Sequence, residues 1–171
     1  MQRIPIFMDD KAYQTISDRV RESYPNSCIL FIDKVENPNL QIAYENRKRL
    51  IELERGKVEE MQLFHGTHAN LIDKIAYEGF DPEKSVVAAY GPGTYFATNA
   101  GYSFSYMKSM DKSGISYMFY ADVLIGKKGF KSDTTGCDNY VNSLNAPSII
   151  VSPYGDGAFP RYVIAFHKNA K

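Results

Sequence analysis

The chain has 171 residues, 44% hydrophobic and 23% charged, a globular composition long enough for one domain with a real core. Lys plus Arg and Asp plus Glu each number 20 and are spread evenly, so no basic arm or acidic tail supports bulk nucleic-acid or membrane binding, although contact with a few phosphates stays open. Two cysteines, Cys28 and Cys137, make no disulfide framework, and no signal-like N-terminus or membrane-length apolar run is visible, so a soluble intracellular protein is expected.

Residues 1–8 read as a short edge strand. Asp9 or Asp10 can cap a helix that carries Tyr13, Ile16, Val20 and Tyr24 at helical spacing and ends at Pro25-Asn26. Residues 28–35 are apolar and β-rich, which predicts a buried strand with Cys28 as a buried thiol. Asn37-Pro38-Asn39 starts a second helix. Its apolar face runs through Leu40, Ala43, Tyr44, Leu50, Ile51 and Leu53 to about Arg55, with Arg47-Lys48-Arg49 read as a solvated face. Gly56 breaks it, and residues 61–64 form a strand leading into His65-Gly66-Thr67. A third helix with Leu71, Ile72, Ile75 and Ala76 stops at Gly79. Residues 80–90 read as a loop.

The next stretch, 90–106, is the most informative. Gly91-Pro92-Gly93 is a turn, Thr94-Tyr95-Phe96 a short strand, and Thr98 or Asn99 an N-cap for a helix that places Ser103 and Tyr106 on one face. That combination surrounds a small concavity with a hydroxyl, a phenol and a flat ring, which suits a planar amide-bearing heterocycle joined to a sugar; a Gly-Pro turn followed by aromatic core reads the same residues without a ligand. Residues 115–125 predict a long strand, 126–129 a turn back, and 132–146 a polar loop. Residues 148–151 and 162–166 predict two more strands joined by a turn around Tyr154-Gly155-Asp156-Gly157. The whole reads as one α+β domain.

His65 follows a strand and precedes a glycine. It can donate to a sugar hydroxyl while Gly66 lets a ligand approach the backbone, or it can be a structural histidine. His65 and His68 lack a third ligand at sensible spacing, so no metal is expected. There is no phosphate-binding G-x-x-x-x-G-K-[ST] loop, no complete dinucleotide fingerprint and no nucleophile elbow.

Together, His65-Gly66-Thr67 after a strand, Gly91-x-Gly93-Thr94-Tyr95-Phe96-Ala97 one loop later, and then Ser103 and Tyr106 closely resemble the poly(ADP-ribose) polymerase-like catalytic domain, a branch of the diphtheria-toxin-like ADP-ribosyltransferases. Phe31-Ile-Asp-Lys-Val-Glu-Asn-Pro-Asn-Leu, Tyr44-x-x-Arg-Lys-Arg, Pro147-Ser-Ile-Ile-Val and Tyr162-Val-Ile-Ala-Phe extend the likeness across about residues 13–167 of a single 1–171 domain. The resemblance implies an α+β fold with a split, mostly antiparallel β-sheet, flanking helices and NAD held in a groove as substrate. His65 would bond a ribose hydroxyl, and Gly66 and Ser103 the nicotinamide carboxamide. Tyr106 would stack on the ring with Tyr95 closing the other side, and Thr67, Phe96 and Ala97 would complete the wall. The loop 80–90 would cover the donor. The third triad position, a glutamate in polymerising members, aligns with Ile149, which cannot accept a hydroxyl hydrogen bond. This resembles His-Tyr-Ile members and implies transfer of one ADP-ribose to a protein acceptor. Pro92 stands where many relatives carry a basic residue. The alternatives are an inactive NAD- or ADP-ribose-binding module of the same fold and transfer to nucleic-acid ends, which the neutral charge disfavours.

Overall fold

A computed structural model describes residues 1–85, 89–107, 110–130 and 135–167. The chain runs through β1 (Gln2–Ile6), α1 (Lys11–Ser23), β2 (Ile29–Glu36), α2 (Pro38–Arg55), β3 (Glu59–Gly66), α3 (Ile72–Glu78), β4 (Thr94–Ala97) and α4 (Ala100–Phe104). It continues through β5 (Ile115–Ile125), β6 (Lys128–Gly129), β7 (Asn139–Val141), β8 (Ile149–Ser152) and β9 (Ala158–His167). The strands form one sheet in the order β1-β2-β9-β5-β3-β4-β8-β7-β6, antiparallel throughout except for β6–β7. This is the α+β, mostly antiparallel arrangement the sequence implies.

Period-two alternation along the central strands fixes which side chains meet which helix. Phe64, Met118, Tyr120, Ile164 and Phe166 pack on one face with Tyr13, Ile16 and Val20 of α1 and Ala100 of α4. Leu63, Phe119, Ala121 and Val163 pack on the other with Ile72 and Ala76 of α3 and with Phe80 and Phe96. β3 pairs with β5 along its full length, from Glu59↔Ile125 to Gly66↔Met118. It meets β4 at one registered pair, Phe64↔Ala97. The sheet therefore forks beyond Phe64, and the fork is where His65 and Gly66 lie.

Several expectations need correction. Cys28 is exposed, not buried, and β2 is only partly buried. Its neighbour β1 is the sheet edge, so the apolar run splits into core-facing and solvent-facing residues such as Leu30. Of the run read as a solvated face, Arg47 departs: it is half-buried, pairs with Asp156 at 2.8 Å and stacks over the Tyr154 ring at 4.2 Å, whereas Lys48 pairs with Glu60 at the surface at 3.3 Å and Arg49 is exposed. Leu50 and Leu53 face solvent, and α2 is held by Tyr44 and Ile51 against Leu124 and Phe159. Residues 126–129 do not turn the chain back into a hairpin, because β6 pairs parallel with β7. Within the expected polar loop 132–146, of which 132–134 lie outside the described residues, residues 139–141 are strand. β8 and β9 are joined through the turn at Gly155–Gly157, as expected, but lie apart in the sheet, β8 beside β4 and β9 between β2 and β5.

Candidate active site

Alternation on β3 sends His65 and Gly66 to opposite faces of the sheet. The His65 ring meets Phe80 at 5.2 Å and Phe96 at 5.5 Å between centroids, the first edge-to-face. Its Nδ1 lies 2.8 Å from the Tyr95 carbonyl oxygen. A carbonyl can only accept, so Nδ1 carries the proton and donates, and in the neutral ring Nε2 is left as a lone pair. This reverses the expected polarity: toward a sugar hydroxyl, neutral His65 accepts rather than donates. Burial pushes its pKa below the ordinary 6.5, against the opposing pull of the Tyr95 carbonyl, which keeps the ring neutral at pH 7.

A pH dependence follows. Between the lowered folded value and 6.5 the unfolded chain binds more protons at His65 than the folded chain does, so stability falls as pH drops below 6.5. Thermal midpoints followed downward from neutral pH should show this decline, and His65→Gln should flatten it; identical profiles with and without the imidazole would contradict the assignment.

Gly66 faces α4. A Cβ built on it would lie 1.9 Å from the Ser103 carbonyl oxygen, so the missing side chain makes room for protein backbone and not merely for a ligand. The helix pressed against it is short and pinned at several points. Asn99 Oδ1 accepts from Tyr102 N–H at 2.8 Å as an N-cap, and Ser23 Oγ accepts from Ala100 N–H at 2.9 Å. The buried Ser103 hydroxyl donates to the Phe64 carbonyl at 3.1 Å, leaving its own lone pairs as acceptors. Tyr106 is not on the helix, as the spacing predicts, because α4 ends at Phe104; its N–H instead reaches Ser103 C=O at 3.1 Å in the turn that follows. The Tyr106 hydroxyl lies 3.0 Å from that of Tyr102, which this contact, above all, and burial push up to a pKa of about 12.

The other wall comes from β4 and the turn before it. Tyr95 uses its hydroxyl within that turn, accepting from Tyr90 N–H at 3.1 Å and donating to Gly91 C=O at 2.7 Å. Gly93, at φ 144°, cannot be replaced cheaply, since a Cβ there would lie 2.4 Å from the Ser152 carbonyl oxygen. A cavity of about 660 Å³ opens at the fork. His65, Gly66, Thr67, Tyr95, Phe96, Ala97, Ser103 and Tyr106, all singled out in the sequence, line it. Ile149 does not. It pairs with Ala97 and packs with Val151, Tyr95 and Tyr140 in an apolar cluster behind that wall, its N–H held by Asn142 Oδ1 at 3.0 Å.

Sequence reasoning missed three contributors. Phe80, read as the start of a loop, is buried and packs edge-to-face on His65, Phe96 and Phe119; an apolar residue just after a helix-ending glycine is the signal for such a contact. Tyr102 stands on α4 beside Ser103, and no spacing rule signals it, because Tyr106 lies beyond the helix end. Lys84 lines the far part of the cavity from a 3-10 turn at Pro82–Lys84 inside the expected loop 80–90, of which 86–88 lie outside the described residues. Among the described residues no three His, Cys, Asp or Glu side chains gather as a metal site.

The arrangement offers tyrosine rings and a backbone strand end for a flat amide, an imidazole lone pair for a hydroxyl, and the Lys84 ammonium for an anionic group. The family model "Poly(ADP-ribose) polymerase catalytic domain" matches residues 10–143. Human protein mono-ADP-ribosyltransferase PARP14 is 30% identical over 96% of this chain and 10% of its own length. Human PARP12, also a mono-ADP-ribosyltransferase, is 31% identical over 99% of the chain and 26% of its own. A probable poly [ADP-ribose] polymerase of Dictyostelium discoideum is 33% identical over 97% of the chain and 52% of its own. The chain thus spans about a tenth to a half of the length of these relatives. On the family model and the relatives, this chain belongs to the poly(ADP-ribose) polymerase catalytic-domain family.

Proposed function

We propose that the chain transfers a single ADP-ribose from NAD to a protein acceptor and releases nicotinamide, a pentosyl transfer. The observation that carries this reading is the convergence of His65, Gly66, Tyr95, Ser103 and Tyr106, from β3, β4, α4 and the turn after it, on one cavity. The relatives named as mono-ADP-ribosyltransferases support the reaction class. In that reaction the bond between the ribose carbon and nicotinamide breaks, nicotinamide leaves with the bonding electrons, and an acceptor nucleophile forms the new bond to the same carbon and gives up its proton.

Within this reading, the Gly66 backbone and the Ser103 lone pairs hold the carboxamide. Tyr106 and Tyr95 flank the ring. His65 Nε2 accepts from a ribose hydroxyl and fixes the sugar. Thr67, Phe96 and Ala97 complete the wall. The transition state is cation-like at the ribose, so orientation and hydrogen bonds placed before the reaction supply most of the acceleration. Ile149 carries no oxygen and packs in an apolar cluster with Ala97 and Tyr95, so it supplies no group to polarise an acceptor hydroxyl. The proton of the acceptor therefore leaves through the acceptor's own groups. The two cysteines, neither in a disulfide, suit an intracellular setting.

Incubation with labelled NAD, resolved by gel and mass spectrometry, tests the proposal. One ADP-ribose per modified site is expected. A ladder would overturn the role given to Ile149, and NAD binding without any adduct would favour a binding module. Ile149→Glu is expected to produce no polymer and to lower the thermal midpoint, because it puts a carboxyl at a position only 4% exposed within an apolar cluster. Long chains from that variant would show that one side chain decides the outcome.

A further inference from the structure

We propose that Tyr102 is a positioning residue for donor binding: its hydroxyl, 3.0 Å from that of Tyr106, holds the Tyr106 ring at a set tilt where the cavity ends. This rests on the reading of the cavity as the NAD site. No part of the sequence pattern assigns Tyr102 a role; the geometry does.

Tyr106 needs such a partner. It lies two residues beyond the end of α4, in a turn, with its Cβ packed near Gly66 and its hydroxyl turned toward the exposed Tyr102, so the hydroxyl contact ties the outer end of the ring. Ordering it on binding would cost affinity. Tyr102 belongs to the helix itself, one residue before Ser103. That helix is tied to the sheet by the Ser103 hydroxyl on Phe64 C=O and by Ser103 C=O seated against Gly66; Ser23 at the end of α1 holds its first turn and Asn99 caps it. The order therefore passes from β3 through Ser103 and Tyr102 to Tyr106. The two rings are 5.3 Å apart and tilted by 48°, so ring contact and the hydroxyl bond act on the same pair, and substitutions that remove only a hydroxyl separate them. Both rings line the cavity.

The test is a double-mutant cycle on hydroxyls alone: the unchanged chain, Tyr102→Phe, Tyr106→Phe and the double variant, each titrated calorimetrically with NAD and, separately, with nicotinamide. Tyr102→Phe is expected to weaken NAD by roughly three- to ten-fold, the cost of immobilising one side chain. The double variant should bind no more weakly than Tyr106→Phe, and in the transfer assay Tyr102→Phe should raise KM for NAD more than it lowers kcat. If the unchanged chain binds NAD and Tyr102→Phe binds it as tightly, or if the two effects simply add, the inference is wrong while the reading of the cavity stands. If the unchanged chain binds neither NAD nor nicotinamide, both fall.

Discussion

Removing the His65 side chain is expected to cost about 10²–10³-fold in transfer rate, the typical loss when one preorganised hydrogen-bonding group is deleted from a reacting centre. The variant to make is His65→Ala, measured in single turnover with labelled NAD. The substitution is not silent for the fold. The ring packs between Phe80 and Phe96, and its Nδ1–H satisfies the Tyr95 carbonyl, so a loss of stability of ~1–3 kcal/mol accompanies it. Stability and chemistry must therefore be read separately, with the assay run well below the variant's thermal midpoint. A folded His65→Ala chain that transfers ADP-ribose at the original rate would remove His65 from the site.

The second large effect concerns a residue that touches no reacting atom with a side chain. Gly66→Ala forces a Cβ to within 1.9 Å of the Ser103 carbonyl oxygen, a backbone atom that cannot swing aside. Either β3 or α4 must move. The expected cost is about 3 kcal/mol, or roughly 6–12 °C in thermal midpoint for a chain this size. NAD binding should be lost with it, because Ser103, Tyr102 and Tyr106 all travel with α4. Gly56→Ala is the control: φ is 78° there but nothing lies within 4 Å of the added carbon, so only the left-handed backbone strain, ~1 kcal/mol, is incurred. Equal effects at the two glycines would mean that the contact with α4 is not what Gly66 secures.

The elements with strong periodicity were legible. Residues 115–125 alternate through a β-rich run and are β5 to the residue, and Asn37-Pro38 caps α2 with the Asn37 side chain accepting from Leu40 N–H at 3.3 Å. The segment around β7 was not, because its polar residues point inward. Asn139, 1% exposed, bonds Gly126 N–H and Leu124 C=O, and buried Asp138 binds Arg55 and Lys127 N–H. Polar composition predicts solvent, and only tertiary pairing shows otherwise. At the site, the identities of the lining residues could be read from the motif and its family likeness. The tautomer of His65, the true occupant of the space at Gly66 and the Tyr102–Tyr106 contact could not, since each depends on an atom from a different element.

The fork in the sheet has a further consequence. β1, β2, β9, β5 and β3 form one ribbon, and β4, β8, β7 and β6 another, stitched at Phe64↔Ala97 and bridged by α4. Such a seam is where a domain can open as two cooperative units instead of melting as one. A molecule seated in the cavity touches His65 and Gly66 on one ribbon and Tyr95 and Ala97 on the other, so its binding energy acts on the separation of the halves as well as on its own retention. A ligand seated there is then also a staple, and the empty protein is the looser of the two states.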